Sequence, residues 1–147
     1  MTPEATGGTI SGALAAAKRR LADLPSAALD CQLLLAHALG VDRSWLYAHG
    51  DDALCPGSQA AFEALLARRY KGEPVAYLIG EKSFWTMTLA VDQSTLMPRP
   101  ETECLVEAVL DRRSEDARLR IADLGTGSGA IAIALALERP DWQISRN

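Results

Sequence analysis

The chain has 147 residues, 48% of them hydrophobic and 23% charged, the profile of an ordinary folded protein and neither a disordered nor a fibrous one. Its 15 Lys and Arg against 19 Asp and Glu give a formal net charge of −4, which argues against a general nucleic-acid coat or a cationic membrane binder. The charge is evenly spread, with 7 basic and 8 acidic residues before Pro74 and 8 and 11 from there on, so no charged tail emerges. At roughly 100 to 200 residues per domain, the length suits one domain or two small ones with a core that needs no disulfide or metal staple.

Three cysteines, Cys31, Cys55 and Cys104, are widely spaced and form no Cys-x-x-Cys pair, so neither a zinc site nor a disulfide framework is expected and a reducing compartment fits. Met1 to Gly8 shows no basic patch followed by an apolar stretch. The longest apolar run, Ala130 to Leu137, falls far short of the roughly 18 residues a membrane helix needs. The reading is a cytoplasmic chain with no membrane partner.

From Ile10 to Asp23 the apolar residues Ile10, Leu14, Ala17 and Leu21 recur at three- and four-residue steps, the signature of an amphipathic helix closed by Pro25. Ser26 is positioned to cap a second helix in which Leu29, Leu33, Leu34, Leu35, Ala38 and Leu39 point in almost every direction, with Gly40 as its terminus. A helix apolar nearly all round belongs inside a bundle. Asp42 is a cap candidate for a short helix through Trp45, Leu46 and Tyr47. After Pro56-Gly57-Ser58 a longer helix carries Phe62, Leu65, Leu66 and Tyr70 as its stripe and ends at Gly72. The first 73 residues are therefore expected to form an all-helical bundle.

After Gly72 the period changes. Val75 to Ile79 and Phe84 to Val91, rich in β-branched and aromatic residues and separated by Gly80-Glu81-Lys82, predict a β-hairpin linker over residues 74–97. Pro98 and Pro100 stop any strand. Pro100 suits the first turn of a helix, with Glu101 and Glu103 near its positive end and Leu105, Val106, Val109 and Leu110 on its buried face. Leu119 to Leu124 then reads as a strand, Gly125 to Gly129 as a glycine loop, Ala130 to Glu138 as an apolar helix, and Gln143-Ile144 as the start of another strand. This is the opening of a β-α-β unit whose remaining strands are not among these residues, so residues 98–147 are expected to be an incomplete, truncated α/β domain. Unfinished in this way, it would leave Ile131, Ile133 and Leu135 exposed.

Asp123-Leu124-Gly125-Thr126-Gly127-Ser128-Gly129 lies where a strand turns into a helix. Glycine permits positive φ and close approach of a ligand, and the helix start presents unsatisfied N–H groups backed by the dipole. An anionic or strongly polar cofactor is favoured there. The spacing Gly125-x-Gly127-x-x-Ala130 meets the loose dinucleotide fingerprint, so an NAD-type oxidoreductase is one reading. The alternative is that Asp-x-Gly-x-Gly-x-Gly resembles motif I of the class I, Rossmann-like S-adenosylmethionine-dependent methyltransferases. In both classes an acid at the end of the second strand holds the ribose; here Ile144 is followed by Ser145-Arg146-Asn147.

Three further stretches narrow the resemblance. Gly72-Glu73-Pro74-Val75-Ala76-Tyr77-Leu78-Ile79-Gly80, then Phe84-Trp85, then Leu96-Met97-Pro98-Arg99-Pro100-Glu101-Thr102-Glu103 with Leu105-Val106-Glu107, resemble in order the landmarks of the peptide chain release factor glutamine methyltransferases, the HemK/PrmC family. The resemblance implies a helical domain that helps hold the release factor and an α/β domain that transfers a methyl group from S-adenosylmethionine to the glutamine amide of a Gly-Gly-Gln motif. It assigns Gly125, Thr126, Gly127, Ser128 and Gly129 to the cofactor loop and Asp123 to the strand-end acid. Arg99, Glu101 and Thr102 become candidates for the pocket wall, with a capped helix start as the other reading of that motif. The family's Asn-Pro-Pro-Tyr motif does not occur among these residues, whose only asparagine is Asn147. The resemblance therefore implies a fragment, inactive by itself and without assigned catalytic residues, that ends in a short tail.

His37 and His49 have no second histidine or carboxylate at ligand spacing, so no metal is expected. Lys18-Arg19-Arg20 and Arg68-Arg69-Tyr70-Lys71 read as solvated helix faces, or as contacts to an acidic partner. Trp45, Trp85 and Trp142 read as core or rim aromatics. Besides the enzyme readings, a non-enzymatic helical binding module for a translation factor remains open, with no direct nucleic-acid partner.

Overall fold

The computed structural model of the protein describes residues 8–113 and 118–147. Residues 1–7, most of the stretch read above as carrying no leader, lie outside them. The chain divides between Ile79 and Gly80 into two compact units.

The first unit is helical. α1 (Ile10–Arg20) starts at Thr9, whose hydroxyl accepts from the Gly12 N–H at 3.1 Å. It ends short of Asp23, where Leu21 turns the chain. α2 (Ala27–Leu39) ends at Gly40, whose φ of 68° closes the helix without a Cβ penalty. Ser26 precedes α2 but does not cap it; its hydroxyl instead donates to Asp30 Oδ2 at 2.9 Å. α3 (Arg43–Ala48) is capped by the Asp42 carboxylate, which accepts from the Trp45 N–H at 3.0 Å. α4 (Pro56–Tyr70) has proline in its first turn and the Cys55 thiol at its cap.

α2 packs against α1, α3, α4 and α5 (Val75–Ile79). Leu34 and Leu35 on α2 have no exposed surface, and Ile10, Cys31, Phe62 and Leu66 close around them. Each such aliphatic or aromatic side chain stabilises the bundle by about 1.5 to 3 kcal/mol relative to exposure.

Arg69 departs from the reading of its run as a solvated face. Its Nε donates to Asp30 Oδ2 at 2.8 Å, with the two side chains 16% and 8% exposed, and its guanidinium also donates to the Glu73 carbonyl. One ion pair thus ties α2 to α4 and to the turn after it. Arg68 and Glu73 form a second, more exposed pair.

The structure overturns the expectation of a strand at Val75–Ile79. These residues form α5, because Val75, Leu78 and Ile79 at helical spacing all reach the bundle core, Leu78 being buried. An alternating strand would send only half of them there. Pro74 opens the turn, its carbonyl accepting from the Tyr77 and Leu78 N–H groups.

The hairpin lies wholly in the second unit. β1 (Glu81–Phe84) pairs antiparallel with β2 (Met87–Ala90), so its turn is Trp85-Thr86 and not Gly80-Glu81-Lys82. Trp85 has φ of 55°, a left-handed conformation that costs a residue with a Cβ about 1 to 2 kcal/mol. Two carboxylates offset this cost: the Trp85 N–H donates to Glu103 Oε1 at 2.8 Å and its indole N–H to Glu138 Oε1 at 2.7 Å.

Pro100–Thr102 form a single 3-10 turn that leads into α6 (Glu103–Asp111). β3 (Arg120–Asp123) runs parallel to β4 (Gln143–Arg146), with α7 (Ala130–Glu138) crossing between them. Val106, Phe84, Ala134, Leu135 and Trp142 form the core. Leu135 is therefore buried, contrary to the expectation of exposure, and Ile131 and Ile133 are half-buried against the same cluster. α7 finds its cover in α6 and the hairpin. On the face of α6 read as buried, Val106 is, whereas Leu105 is 51% exposed. Leu124 and Leu137 are also exposed. No helix of the described residues is long and apolar enough to cross a membrane.

The three cysteines are free. Cys31 is buried, and that burial pushes its thiol up, whereas Cys55 is exposed and the Ser58 hydroxyl and N–H hold its thiol below the usual range. Mass-resolved alkylation with iodoacetamide should modify Cys55 ahead of Cys31, which should react only once denaturant opens the bundle. Asp30→Ala leaves the Arg69 guanidinium buried without its carboxylate, and urea unfolding followed by circular dichroism should show a loss of about 3 kcal/mol.

Candidate functional site

The glycine loop is shaped by its own backbone. Gly125, Gly127 and Gly129 have φ of 73°, 55° and 79°, so every second residue takes the left-handed conformation and the chain reverses tightly from β3 into α7. At Gly125 and Gly127 a Cβ would meet nothing within 4 Å, so at these positions the requirement is conformational, with open space in front. Gly129 precedes α7 and has no side chain to cap it. The first N–H groups of that nine-residue helix therefore rely on partners other than a capping side chain.

Asp123, at the end of β3, accepts from the Thr126 hydroxyl at 2.8 Å, so the strand-end acid braces the loop from within. The far side of the loop is held by the end of β4: Asn147 N–H donates to the Asp123 carbonyl and Thr126 N–H to the Asn147 carbonyl. Ser145 and Arg146, read from the sequence as a tail, belong to the paired strand β4. Arg146 pairs in register with Asp123, and its guanidinium would lie 3.1 Å from a Cβ at Gly129.

An open cleft of about 300 Å³ borders the loop, lined by Gly127 and Ser128 on one side and by Ala90, Val91, Asp92, Ser94 and Thr95 on the other. The structure thus brings Gly127 and Ser128 together with a segment that sequence reasoning passed over. Within that segment Asp92 accepts from the Ser94 N–H and hydroxyl, which hold its carboxyl below the usual range. The Asp-x-Ser spacing is the signature of such a turn and marks the loop, though not its placement.

Arg99, Glu101 and Thr102 do not line this cleft. Arg99 and Glu101 are exposed, and Thr102 bonds back to the Arg99 carbonyl within the 3-10 turn. In this structure the proline-flanked motif is a helix start, and its last residue, Glu103, holds the hairpin turn through Trp85. His49 stacks on Trp45 with ring centroids 3.8 Å apart. Among the described residues no three His, Cys, Asp or Glu side chains converge on a metal position.

The architecture is that of a small helical domain joined in sequence to a hairpin, a helix and a parallel strand–glycine loop–helix–strand segment. Residues 12–80 match the family of the PrmC N-terminal domain. The release factor glutamine methyltransferase of Xylella fastidiosa strain Temecula1 is 52% identical over 116 residues, which are 79% of this chain and 42% of that protein. That of Escherichia coli K12 is 50% identical over 115 residues, 78% of this chain and 41% of its own, and that of Vibrio cholerae 49% over 140 residues, 93% and 48%. The chain belongs to the family of the release factor glutamine methyltransferases and matches their N-terminal part. It spans a little under half the length of these relatives.

Gly127→Ala places a Cβ in open space but at positive φ, so it tests the conformational requirement alone. Thermal unfolding should register a loss of about 1 to 2 kcal/mol.

Proposed function

We propose that the second unit opens an S-adenosylmethionine-binding domain of class I, Rossmann-like architecture, and that the chain contributes cofactor and substrate binding to a cytoplasmic release factor glutamine methyltransferase. The observation that carries this reading is the glycine loop. It has a braced acid at Asp123, an uncapped helix start at Gly129 and a cleft beside Gly127 and Ser128.

The residues present fit the amino-acid end of the cofactor. The loop between Gly125 and Gly129 offers backbone N–H groups and the positive end of α7 to a carboxylate, with no side chain in the way at Gly125 or Gly127. They fit the ribose end less well, because β4 places Arg146, not a carboxylate, across from Asp123. When bound, S-adenosylmethionine supplies an electrophilic methyl group on a sulfonium.

The acceptor implied by the family is the side-chain amide of the glutamine in a Gly-Gly-Gln loop, a poor nucleophile because its lone pair is delocalised into the carbonyl. Such a reaction needs positioning in line with the methyl group and hydrogen-bond acceptors on the NH₂. The family draws those acceptors from Asn-Pro-Pro-Tyr, which these 147 residues do not contain. Asp123 and residues 125–129 accordingly hold cofactor, and the helical unit, which extends through α5 to Ile79, holds the release factor. The span 74–97 is not a separate linker, since α5 belongs to the helical unit and the hairpin to the unit that begins at Gly80. These residues alone bind both and transfer no methyl group.

Ultraviolet cross-linking of tritiated S-adenosylmethionine to the chain tests the reading. Label should enter, S-adenosylhomocysteine should compete it away, and Gly127→Val should abolish it. Competition by NADH but not by S-adenosylhomocysteine would replace the reading with a dinucleotide site. Methyl transfer into a release factor by the 147-residue chain at the rate of a full-length relative would show that the acceptors are present after all.

A further inference from the structure

The helical unit is polarised. Six of its seven Lys and Arg residues, Lys18, Arg19, Arg20, Arg68, Arg69 and Lys71, lie where α1 and α4 end. These two ends meet: Arg20 pairs with Glu63 of α4, and a cleft of about 260 Å³ is lined by Arg20, Leu21 and Leu24 from one side and Arg69, Tyr70 and Gly72 from the other, with Asp23 at its rim. The start of α1 carries the opposite charge, for the Ile10 N–H donates to the Asp52 carbonyl beside Asp51, about 16 Å away at 1.5 Å per residue.

Compensation of helix dipoles suits each of these ends singly but does not bring the two together. α2 and α3 end in the same unit without a single Lys or Arg in their last turns. Nor do internal ion pairs consume the charge. Arg20, Arg68 and Arg69 have carboxylate partners, whereas Lys18, Arg19 and Lys71 are exposed and, among the described residues, form no ion pair. Tyr70 stands at the mouth of the cleft with 72% of its surface exposed, an amphipathic ring of the kind that anchors protein interfaces.

We propose that this cationic end of the helical unit, with the cleft between α1 and α4 and Tyr70 at its mouth, docks an acidic segment of the protein substrate. The inference deepens the reading that the helical unit holds a release factor, and it rests on that reading for the identity of the occupant. Exposed cations beside a cleft that also presents Leu21, Leu24 and Tyr70 select a carboxylate-bearing peptide that also offers an apolar side chain. Their contribution is to steering and register, so it weakens with salt.

The test uses the whole chain and two probes, a fluorescein-labelled peptide of alternating Glu and Leu and a purified bacterial release factor, read by fluorescence anisotropy and interferometry. The triple variant Lys18→Glu/Arg19→Glu/Lys71→Glu should bind both about tenfold more weakly, chiefly through slower association, with an unchanged circular dichroism spectrum. Tyr70→Ala should weaken binding by about tenfold or more, chiefly through faster dissociation. Asp51→Lys/Asp52→Lys, at the other end of α1, should leave affinity unimpaired. Equal binding of the peptide by wild type and triple variant, or no binding by either, overturns the inference, as does preferential capture of an RNA hairpin. Peptide binding that is lost in the triple variant, without any binding of the release factor, upholds the cationic dock and removes the release factor as its occupant. Release-factor binding that ignores the triple variant removes the dock and leaves the release-factor reading intact.

Discussion

A helix apolar on most of its sides has to be largely covered, and α2 imposes that constraint on the helical unit. Leu34 and Leu35 have no exposed surface, and every other helix of the unit contributes side chains to the cluster around them, while Leu29 of α2 stays 43% exposed. The short α5 follows from the same demand. Its β-branched residues favour a strand, but the bundle offers an apolar surface to Val75, Leu78 and Ile79 together, and burial of all three outweighs local preference. Where α2 does carry a charge, at Asp30, the fold supplies Arg69 from α4 and the Ser26 hydroxyl, because a buried carboxylate without partners costs several kcal/mol.

In the second unit the comparable constraint is backbone conformation. Three left-handed glycines turn β3 into α7, and one left-handed tryptophan turns β1 into β2. The glycines adopt these angles freely, while Trp85 needs carboxylates on both α6 and α7 to hold it. α7 is consequently fixed at both ends, by the loop braced through Asp123 and Thr126 at its start and by Glu138 at its finish. The cleft beside Gly127 is thus bounded on one side by a loop that Asp123 braces and on the other by the turn that Asp92 and Ser94 close.

What was legible in the sequence was whatever depends on near neighbours. The Asp42 cap, the stop at Gly40 and the strand–glycine loop–helix succession are short-range patterns, and the structure repeats them; of the all-round apolar α2 it buries Leu34 and Leu35 but leaves Leu29 exposed. The departures share a cause as well. The Ala90–Thr95 wall of the cleft sits more than thirty positions before the loop it faces, and nothing in its composition announces that approach. Arg69 sits in a run of cations that reads as a wet helix face, and only the neighbouring helix reveals that it is buried.

The sequence by itself determined the helical periodicities, the caps, the left-handed glycines and the motifs that carry the family resemblance, because each is set by sterics and hydrogen bonding within a few residues. Tertiary structure alone decided that Val75–Ile79 is helical, that Trp85 forms the hairpin turn, that Ala90–Thr95 faces the glycine loop, and that six cations gather at one end of a bundle. Each of these depends on groups distant in the chain meeting in space, where burial and charge pairing outweigh local preference.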